Sequence, residues 1–377
     1  MLKDAFGLIY TGESDMRLKD LTAMRAVAAV PFGGRYRVID FPMSNLVNSG
    51  IVSVGVITQK NYSSLMDHLG AGISWDLHRK NDGMFLLPPF SNVQNNGMYR
   101  GTIDAIKGSM DYINHTPHRY CIFQGSHTIY NSTFESAFKQ HVMTGADITY
   151  IYNVEDTVER EFAFDKYDDI RLIFNERGRV IDMEIDSSRP KSNNSFMDCM
   201  IIEKGLLEYL TNEAYSRGHT NFLRDVVFKK LDTLKVYGWR YDGYVARMSD
   251  IPTYYRANMD LLKADVRRDL FDTENRIYTK VKDEVPALYK SSAIAKNCIV
   301  ADGCIIEGDI EDCILFRDVR IYRGAKLKGC VIMQGCEIQE GAQLENVILD
   351  KNVMIRRDRR LVGQQTFPIV VKKQSVI

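Results

Sequence analysis

The sequence predicts an α/β chain in two parts, a Rossmann-like domain built on a mixed sheet followed by a parallel β-helix. Two patterns carry that prediction. Up to about residue 262, apolar runs suited to buried strands alternate with stretches of helical period. From residue 292 onward, apolar residues recur every six positions instead. The chain has 377 residues with 45% hydrophobic side chains. At roughly 150 residues per domain, that is enough for two cores.

In chain order, strands are expected at Phe6–Tyr10, Val52–Ile57, Tyr120–Gln124 and Ile148–Tyr152. Helices are expected between them at Tyr62–Leu69, Thr102–Ile113 and Phe134–Met143. This alternation argues for a mostly parallel sheet with helices on both faces. Shorter alternating segments at Arg171–Phe174, Val180–Ile185 and Met197–Ile202 add an antiparallel piece. Helices at Asn221–Leu231 and Tyr254–Leu262 then close a domain spanning 1–262. Residues 263–291 hold no sustained apolar period and read as a linker with extended pieces.

The repeat in 292–377 has a defined geometry. Ile294, Val300 and Ile306 are six apart, as are Leu315, Ile321 and Leu327. Leu315, Ile332 and Leu349 stand seventeen apart, as do Ile321, Ile338 and Ile355, and Ile310, Leu327 and Leu344. Steps of six, six and five describe a triangular coil with one inward apolar residue per side. Glycine or asparagine sits near the corners (Gly303, Gly308, Gly324, Gly329, Gly335, Gly341, Asn346, Asn352), where tight turns need φ > 0. An α-helix cannot produce these steps. About four coils are expected.

Charge and composition exclude several classes. With 49 basic and 49 acidic side chains, the chain lacks the drive toward nucleic acid or anionic membrane that a basic protein has. No apolar run approaches the ~18 residues of a membrane span. The first ten residues hold a short apolar stretch with an early acid and read as a first strand, so a cytoplasmic protein is expected. Five of the seven cysteines (Cys298, Cys304, Cys313, Cys330, Cys336) follow the coil repeat and no zinc spacing, which suits small buried apolar residues. β-helices of this kind often belong to hexapeptide acyltransferases, which use a histidine base between coils. Here all seven histidines (His68, His78, His115, His118, His127, His141, His219) precede the repeat. The β-helix is therefore read as a structural or assembly element.

Three blocks carry a resemblance to a known family. They are Arg17-Leu18-Lys19-Asp20-Leu21-Thr22 with the long run Val30 to Ile51, then Trp75-Asp76-Leu77-His78-Arg79-Lys80, then Tyr99-Arg100-Gly101-Thr102-Ile103-Asp104-Ala105. Together they resemble ADP-glucose pyrophosphorylase (glucose-1-phosphate adenylyltransferase), essentially end to end. The resemblance implies a GT-A-like nucleotidyltransferase domain followed by a left-handed β-helix.

The departures from that family fall on its chemistry. Its phosphate loop has the form Gly-Gly-x-Gly-Thr-Arg-Leu, whose glycines let backbone N–H groups close on a triphosphate. Here the run is Gly12-Glu13-Ser14-Asp15-Met16-Arg17-Leu18, so Glu13 and Asp15 place side chains and negative charge where phosphates belong. At an effective dielectric of ~20, each like-charge pair at ~4 Å costs roughly 4 kcal/mol. Two family aspartates hold Mg²⁺. The first, in Gly-Asp-His, is Ser126 here, and the second, after Gly-Tyr-Trp-Arg, is Arg247. The lysine of Arg-Ala-Lys-Pro-Ala is Val27, the Glu-Lys-Pro motif is Ser188-Arg189-Pro190, and a sugar-contacting aspartate is Asn221 with Phe222 retained.

Ser126-His127 has no sharp-turn nucleophile motif around it, so a strand-end serine is the plainer reading. Arg247 offers electrostatic replacement of a lost metal, ranked below simple loss of function, because one cation does not replace two ligands and a divalent ion. No catalytic set is therefore expected at Glu13, Asp15, Ser126 and Arg247. Residual nucleotide or sugar-phosphate contacts are assigned to Arg17, Tyr99, Arg100, Gly101, Thr102, Arg189 and Phe222, with packing of a helix N-terminus as the equal alternative for the Tyr99–Thr102 run.

In the family, a basic residue at the position of Arg35 helps bind an anionic sugar-phosphate effector near the β-helix. Arg35, Arg37, Arg356 and Arg357 are the effector candidates here, against a solvated turn for the arginine cluster alone. The pattern resembles GlgD-type regulatory members of the family. That implies a hetero-oligomer, a heterotetramer, with a catalytic GlgC-type subunit, and no metal or cofactor of its own. Two alternatives stand beside it. One is an active adenylyltransferase with a divergent metal site, which would use Mg²⁺ to convert ATP and glucose 1-phosphate to ADP-glucose and pyrophosphate. The other is a stand-alone sugar-phosphate or nucleotide sensor.

Overall fold

The computed structural model describes residues 2–12, 18–89, 98–155 and 169–377; Glu13, Asp15 and Arg17 lie outside them. The chain forms two compact units. One comprises Met1–Glu13, Phe41–Val245 and Asn275–Tyr278, and the other Ser14–Asp40, Ala246–Glu274 and Thr279–Ile377.

The first unit is built on a nine-stranded mixed sheet. Its strands are β1 (Ala5–Tyr10), β2 (Ser53–Ile57), β3 (Gly83–Leu87), β4 (Tyr120–Gly125), β5 (Ile148–Val154), β6 (Ile170–Phe174), β7 (Val180–Ile185), β8 (Asn194–Glu203) and β9 (Val236–Arg240). The order runs β7-β6-β8-β4-β1-β2-β3, with β5 pairing both β8 and β9. β1 is buried along its whole length, as a continuous apolar run in a central parallel strand should be. It pairs in parallel with β2 on one side and β4 on the other, and β8 returns antiparallel to β4. The carboxyl ends of β1, β2 and β4 therefore share one edge of the sheet, where ligands bind in open α/β folds.

Helices cover this sheet where their periods predict, with two differences. The expected helix over Thr102–Ile113 is two short ones, Thr102–Gly108 and Met110–His115. They break at Ser109, whose hydroxyl donates back to the Ala105 carbonyl at 2.9 Å and competes with the helical ladder. The expected helix over Asn221–Leu231 is a wide π turn at Leu223–Val227 followed by a tight 3-10 turn at Phe228–Lys230.

In the second unit, the helix Ile251–Asp260 begins earlier than its apolar period suggests. Asp250 closes a capping box, accepting from the Thr253 amide at 2.7 Å while its own amide donates to the Thr253 hydroxyl at 2.9 Å. The stretch read as a linker carries another helix, Ala264–Phe271. It buries Val266 and Leu270, too few apolar positions to register as a period.

The C-terminal repeat is a left-handed parallel β-helix of five coils, one more than expected, closed by three five-stranded parallel sheets. The seventeen-residue columns are its ladders. Leu315 lies beside Ile332 and Ile332 beside Leu349. Ile321, Ile338 and Ile355 form a second column, and Ile310, Leu327 and Leu344 a third. All nine side chains are buried. Ile294 departs from this pattern. It is 52% exposed and in register with Asp309, while Ala295 stands in register with the buried Ile310. On this side the first coil is fifteen residues long instead of seventeen, which shifts the six-residue phase. Cys304, Cys313, Cys330 and Cys336 are fully buried and unbridged among the core apolar residues.

Candidate functional site

At the carboxyl edge of the first unit's sheet, the Tyr10 and Gln59 side chains close in on Gly12. Thr11, just past β1, donates through its hydroxyl to the Ile57 carbonyl at 3.0 Å. The Tyr10 phenol donates to the Gly12 carbonyl at 3.1 Å. A Cβ on Gly12 would lie 2.4 Å from both Gln59 Oε1 and Tyr10 Oη, so only glycine fits there as the side chains stand.

The Tyr99–Thr102 run is tied into the fold. Tyr99 is 6% exposed, and burial pushes its phenol upward. Arg100 donates to Asp104 through Nε at 2.7 Å and Nη2 at 2.9 Å, a pairing that holds the carboxyl below its usual range. A Cβ on Gly101 would meet the Thr220 carbonyl at 2.5 Å. Thr102 Oγ1 accepts the Phe222 amide at 2.9 Å, and the Thr220 carbonyl accepts the Ile103 amide at 3.0 Å. These residues tie a helix N-terminus to the segment carrying Asn221 and Phe222. Asn221 caps that segment, its side-chain oxygen accepting from the Arg224 amide at 2.9 Å. Arg189 is exposed on the loop after β7.

Ser126 follows β4 and is fully buried. Beside it, His127 Nδ1 lies 3.6 Å from Asp198 Oδ2. Asp198 has φ +53, in the left-handed region, where the pairing of β8 with β5 shifts between Phe196 and Met200. Sequence reasoning passed over Asp198, since a bulge has no signature in a run of strand-forming residues. One buried hydroxyl and one carboxylate beside an imidazole do not fit Mg²⁺, which wants near-octahedral oxygen ligands. Among the described residues, no three His, Cys, Asp or Glu side chains gather as a metal site. Arg247 belongs to the second unit, in the short strand Ala246–Arg247, and is half-buried.

Part of the long Val30–Ile51 block serves as scaffold. Asn45, fully buried, donates to the Tyr130 carbonyl at 3.1 Å and accepts the Ser132 amide at 3.1 Å. It fixes the loop that follows β4.

The second unit gathers cations at one corner of the β-helix. Pro31–Phe32 and Tyr36–Arg37 form a hairpin whose turn holds Gly33 and Gly34, at φ +59 and +83. The Gly33 amide donates to Asn258 Oδ1 at 3.1 Å, and the Tyr254 phenol donates to the Pro31 carbonyl at 2.7 Å. The hairpin carries Arg35, exposed, and Arg37, half-buried. Arg25 Nη2 bonds both oxygens of Asp350 at 2.9 Å, with the two side chains 5% and 2% exposed. Next to this pair, burial followed by repulsion from Arg37, Arg25 and Lys282 pushes the Lys351 ammonium down to about 7. Arg317 is 7% exposed, its Nε and Nη2 have no hydrogen-bond partner, and burial followed by the Arg35 charge pulls its pKa down.

Arg35 and Arg37 thus belong with Arg317, Lys351 and Arg25. Arg356 and Arg357 lie at the next corner, lining a shallow cavity of about 440 Å³ with Arg359, Asp358, Gln339 and Met354. Arg357 there donates to Glu340 at 2.9 Å. Arg317 and Lys351 escaped sequence reasoning because the seventeen-residue register was followed only through apolar residues. They are 34 apart, two full coils, with Gln334 between them.

Comparison with known proteins identifies the chain's family. A nucleotidyl transferase family model matches residues 6–235, and a GlmU-like C-terminal hexapeptide model matches 285–366. The chain belongs to the glucose-1-phosphate adenylyltransferase family. Glucose-1-phosphate adenylyltransferase of Geobacillus stearothermophilus is 33% identical over 332 residues, covering 87% of this chain and 84% of that one. The Clostridium botulinum enzyme (strain Eklund 17B) is 34% identical over 330 residues, covering 85% and 82%. The glycogen biosynthesis protein GlgD of Bacillus subtilis is 36% identical over 359 residues, covering 95% and 93%. Among the described residues, no helix is long and apolar enough to cross a membrane.

Proposed function

We propose that this chain is a non-catalytic, regulatory subunit of ADP-glucose pyrophosphorylase in glycogen biosynthesis. It acts on a catalytic GlgC-type partner within a heterotetramer and carries an anionic, sugar-phosphate-type effector. The observation that carries the reading is the buried Ser126 hydroxyl at the end of β4, where the family's chemistry calls for a metal-binding carboxylate. The commitment of Arg100 to Asp104 and of Thr102 to the Phe222 amide supports it, because groups already paired within the fold offer little to a nucleotide. The unpartnered N–H groups of Arg317 and the crowded Lys351 ammonium support the effector, since buried donors without acceptors and cations crowded by like charge are costly unless an anion joins them. Modulation of the partner by about 1–3 kcal/mol of coupling is ordinary for such contacts.

The test is pyrophosphate release from ATP and glucose 1-phosphate with Mg²⁺, for the pure protein, a catalytic subunit, and the two mixed. Silence alone, with a changed rate or saturation curve in the mixture, is expected. Turnover by the pure protein sinks the reading in favour of an active adenylyltransferase. The cation cluster also suits a stand-alone sensor, and a homo-oligomer that never co-purifies with a catalytic homologue would favour that second reading.

A further inference from the structure

The Lys351 ammonium faces Arg25, Arg37 and Lys282, with the Asp350 carboxylate beside it. Both Asp350 oxygens are taken by Arg25 at 2.9 Å, and the Lys351 backbone amide also donates to Asp350 Oδ1 at 2.7 Å. Among the described residues, the ammonium itself has no hydrogen-bond or ion-pair partner. Arg317 shares this corner two coils earlier, which at ~4.8 Å per coil places the two levels roughly 10 Å apart. It faces Arg35, together with the carboxylates of Asp302, Glu284 and Asp318. An arginine keeps its proton in such surroundings, whereas a crowded, half-buried lysine gives its proton up. The two cations of this cradle therefore respond differently to an arriving anion.

We propose that the cradle exchanges a proton for its ligand: an anion settling at the Arg317–Lys351 corner binds with net proton uptake by Lys351, up to one proton per anion, so affinity falls as pH rises above neutrality. This rests on the anion-binding reading given above. The step balances simply. A neutral amine takes a proton from the buffer acid, becomes an ammonium, and the new charge is met by the anion. Near pH 7 the free protein holds Lys351 about half protonated, since its pKa lies at about 7 against an ordinary 10.5. A bound anion restores part of that lost basicity. The consequence is an effector site tuned to intracellular acidity through a single side chain, with Arg317 and Arg25 supplying constant charge.

The experiment uses the full chain and inorganic sulfate, whose double charge does not change between pH 6 and 9. Titration calorimetry at pH 6.5 and 8.5, repeated in two buffers of different protonation heat, reads both affinity and proton uptake. Binding about tenfold weaker at pH 8.5 is expected, with a fraction of one proton taken up per sulfate at pH 8. Lys351→Arg should bind equally at both pH values, and Lys351→Met should bind weakly at both. Arg317→Gln should weaken binding by the same factor at each pH and keep the proton uptake. Sulfate bound equally at both pH values by the unaltered protein, without proton uptake, overturns the proton exchange and leaves anion binding standing. A pH dependence that survives in Lys351→Arg overturns the assignment to Lys351. No sulfate binding at any pH removes both readings. The unaltered protein's own pH comparison decides the matter should a variant fail to fold.

Discussion

The strand-end edge of the first unit and the cation corner of the second treat charge in opposite ways. At the first, charged groups are answered within the fold. Arg100 lies on Asp104, His127 beside Asp198, and Arg171 pairs with Glu155 and Asp169. At the second, Arg25 takes both oxygens of Asp350 and leaves the Lys351 ammonium short of counter-charge, while Arg317, with Asp302, Glu284 and Asp318 around it, keeps two buried nitrogens without a hydrogen-bond partner. A site whose charges are already neutralised must break those pairs before it can hold a polyanion. A site with surplus buried charge has accepted a loss of stability that an arriving anion recovers. On the proposed reading, the contrast is how one chain would keep its family's scaffold, lose its chemistry, and retain a place for a regulator.

The largest effect should come from removing the pair that creates the surplus. Arg25→Ala leaves Asp350, 2% exposed, without its guanidinium, and breaking a buried ion pair costs about 3–5 kcal/mol. Denaturant unfolding should show that loss. Asp350 then becomes available to Lys351, so the remaining pH dependence of stability around neutrality should shrink. A loss under 1 kcal/mol would mean the pair is not the keystone of this corner.

At the strand-end edge, Thr102→Val removes the acceptor of the Phe222 amide, a group in a fully buried residue. Leaving that amide unsatisfied should cost about 1–3 kcal/mol, read by the same unfolding measurement. A variant with unchanged stability but altered nucleotide binding would place Thr102 in a ligand site and blur the comparison.

Lys351 gives a smaller effect whose sign changes the comparison from static to pH-dependent. Its folded pKa, about 7, lies below its unfolded value of about 10.5, so the unfolded chain binds more protons between those limits. The charged lysine therefore lowers stability fully below pH 7, and that penalty fades as pH rises toward 10.5. Lys351→Met should stabilise the protein by about 1–2 kcal/mol at pH 6.5 and by progressively less at pH 9.5, a conservative figure for a group still reached by solvent. Equal gains at both pH values would reduce the effect to added apolar packing.

The β-helix was legible because each side of a coil admits one inward residue, so the sequence spacing of Leu315, Ile332 and Leu349 is the spatial ladder itself. The same rule misplaced Ile294, because a coil shortened by two residues keeps its strands while shifting their phase. In the α/β unit, apolar periods located the helices but not the break at Ser109, which depends on a local hydroxyl-to-carbonyl bond. The degenerate Ser126 was visible as a residue, and its burial was not. Among the effector candidates, Arg356 and Arg357 stand out by adjacency in sequence, and they line their own cavity. The unpartnered cations, Arg317 and Lys351, are 34 residues apart and are joined only by the register of the coils.

The smallest expected effect is none at all, and it bears on the first site. Ser126→Asp together with Arg247→Asp returns both carboxylates that the family uses for Mg²⁺. Pyrophosphate release by that double variant should stay at background. The reason lies in the loop after β1, where Glu13 and Asp15 stand in place of two glycines. A metal ion can neutralise phosphates only once they have entered, and two acidic residues in a loop of the family's phosphate-binding pattern are expected to oppose entry by several kcal/mol at an effective dielectric of ~20. By the family resemblance, side chains at those two positions are also expected where backbone N–H groups would approach the phosphates. Turnover comparable to an active relative would show that loop and metal positions contribute unequally, with the carboxylates dominant. Adding Glu13→Gly and Asp15→Gly to the double variant separates the two contributions, because only the fourfold variant restores both the family's carboxylates and its loop glycines.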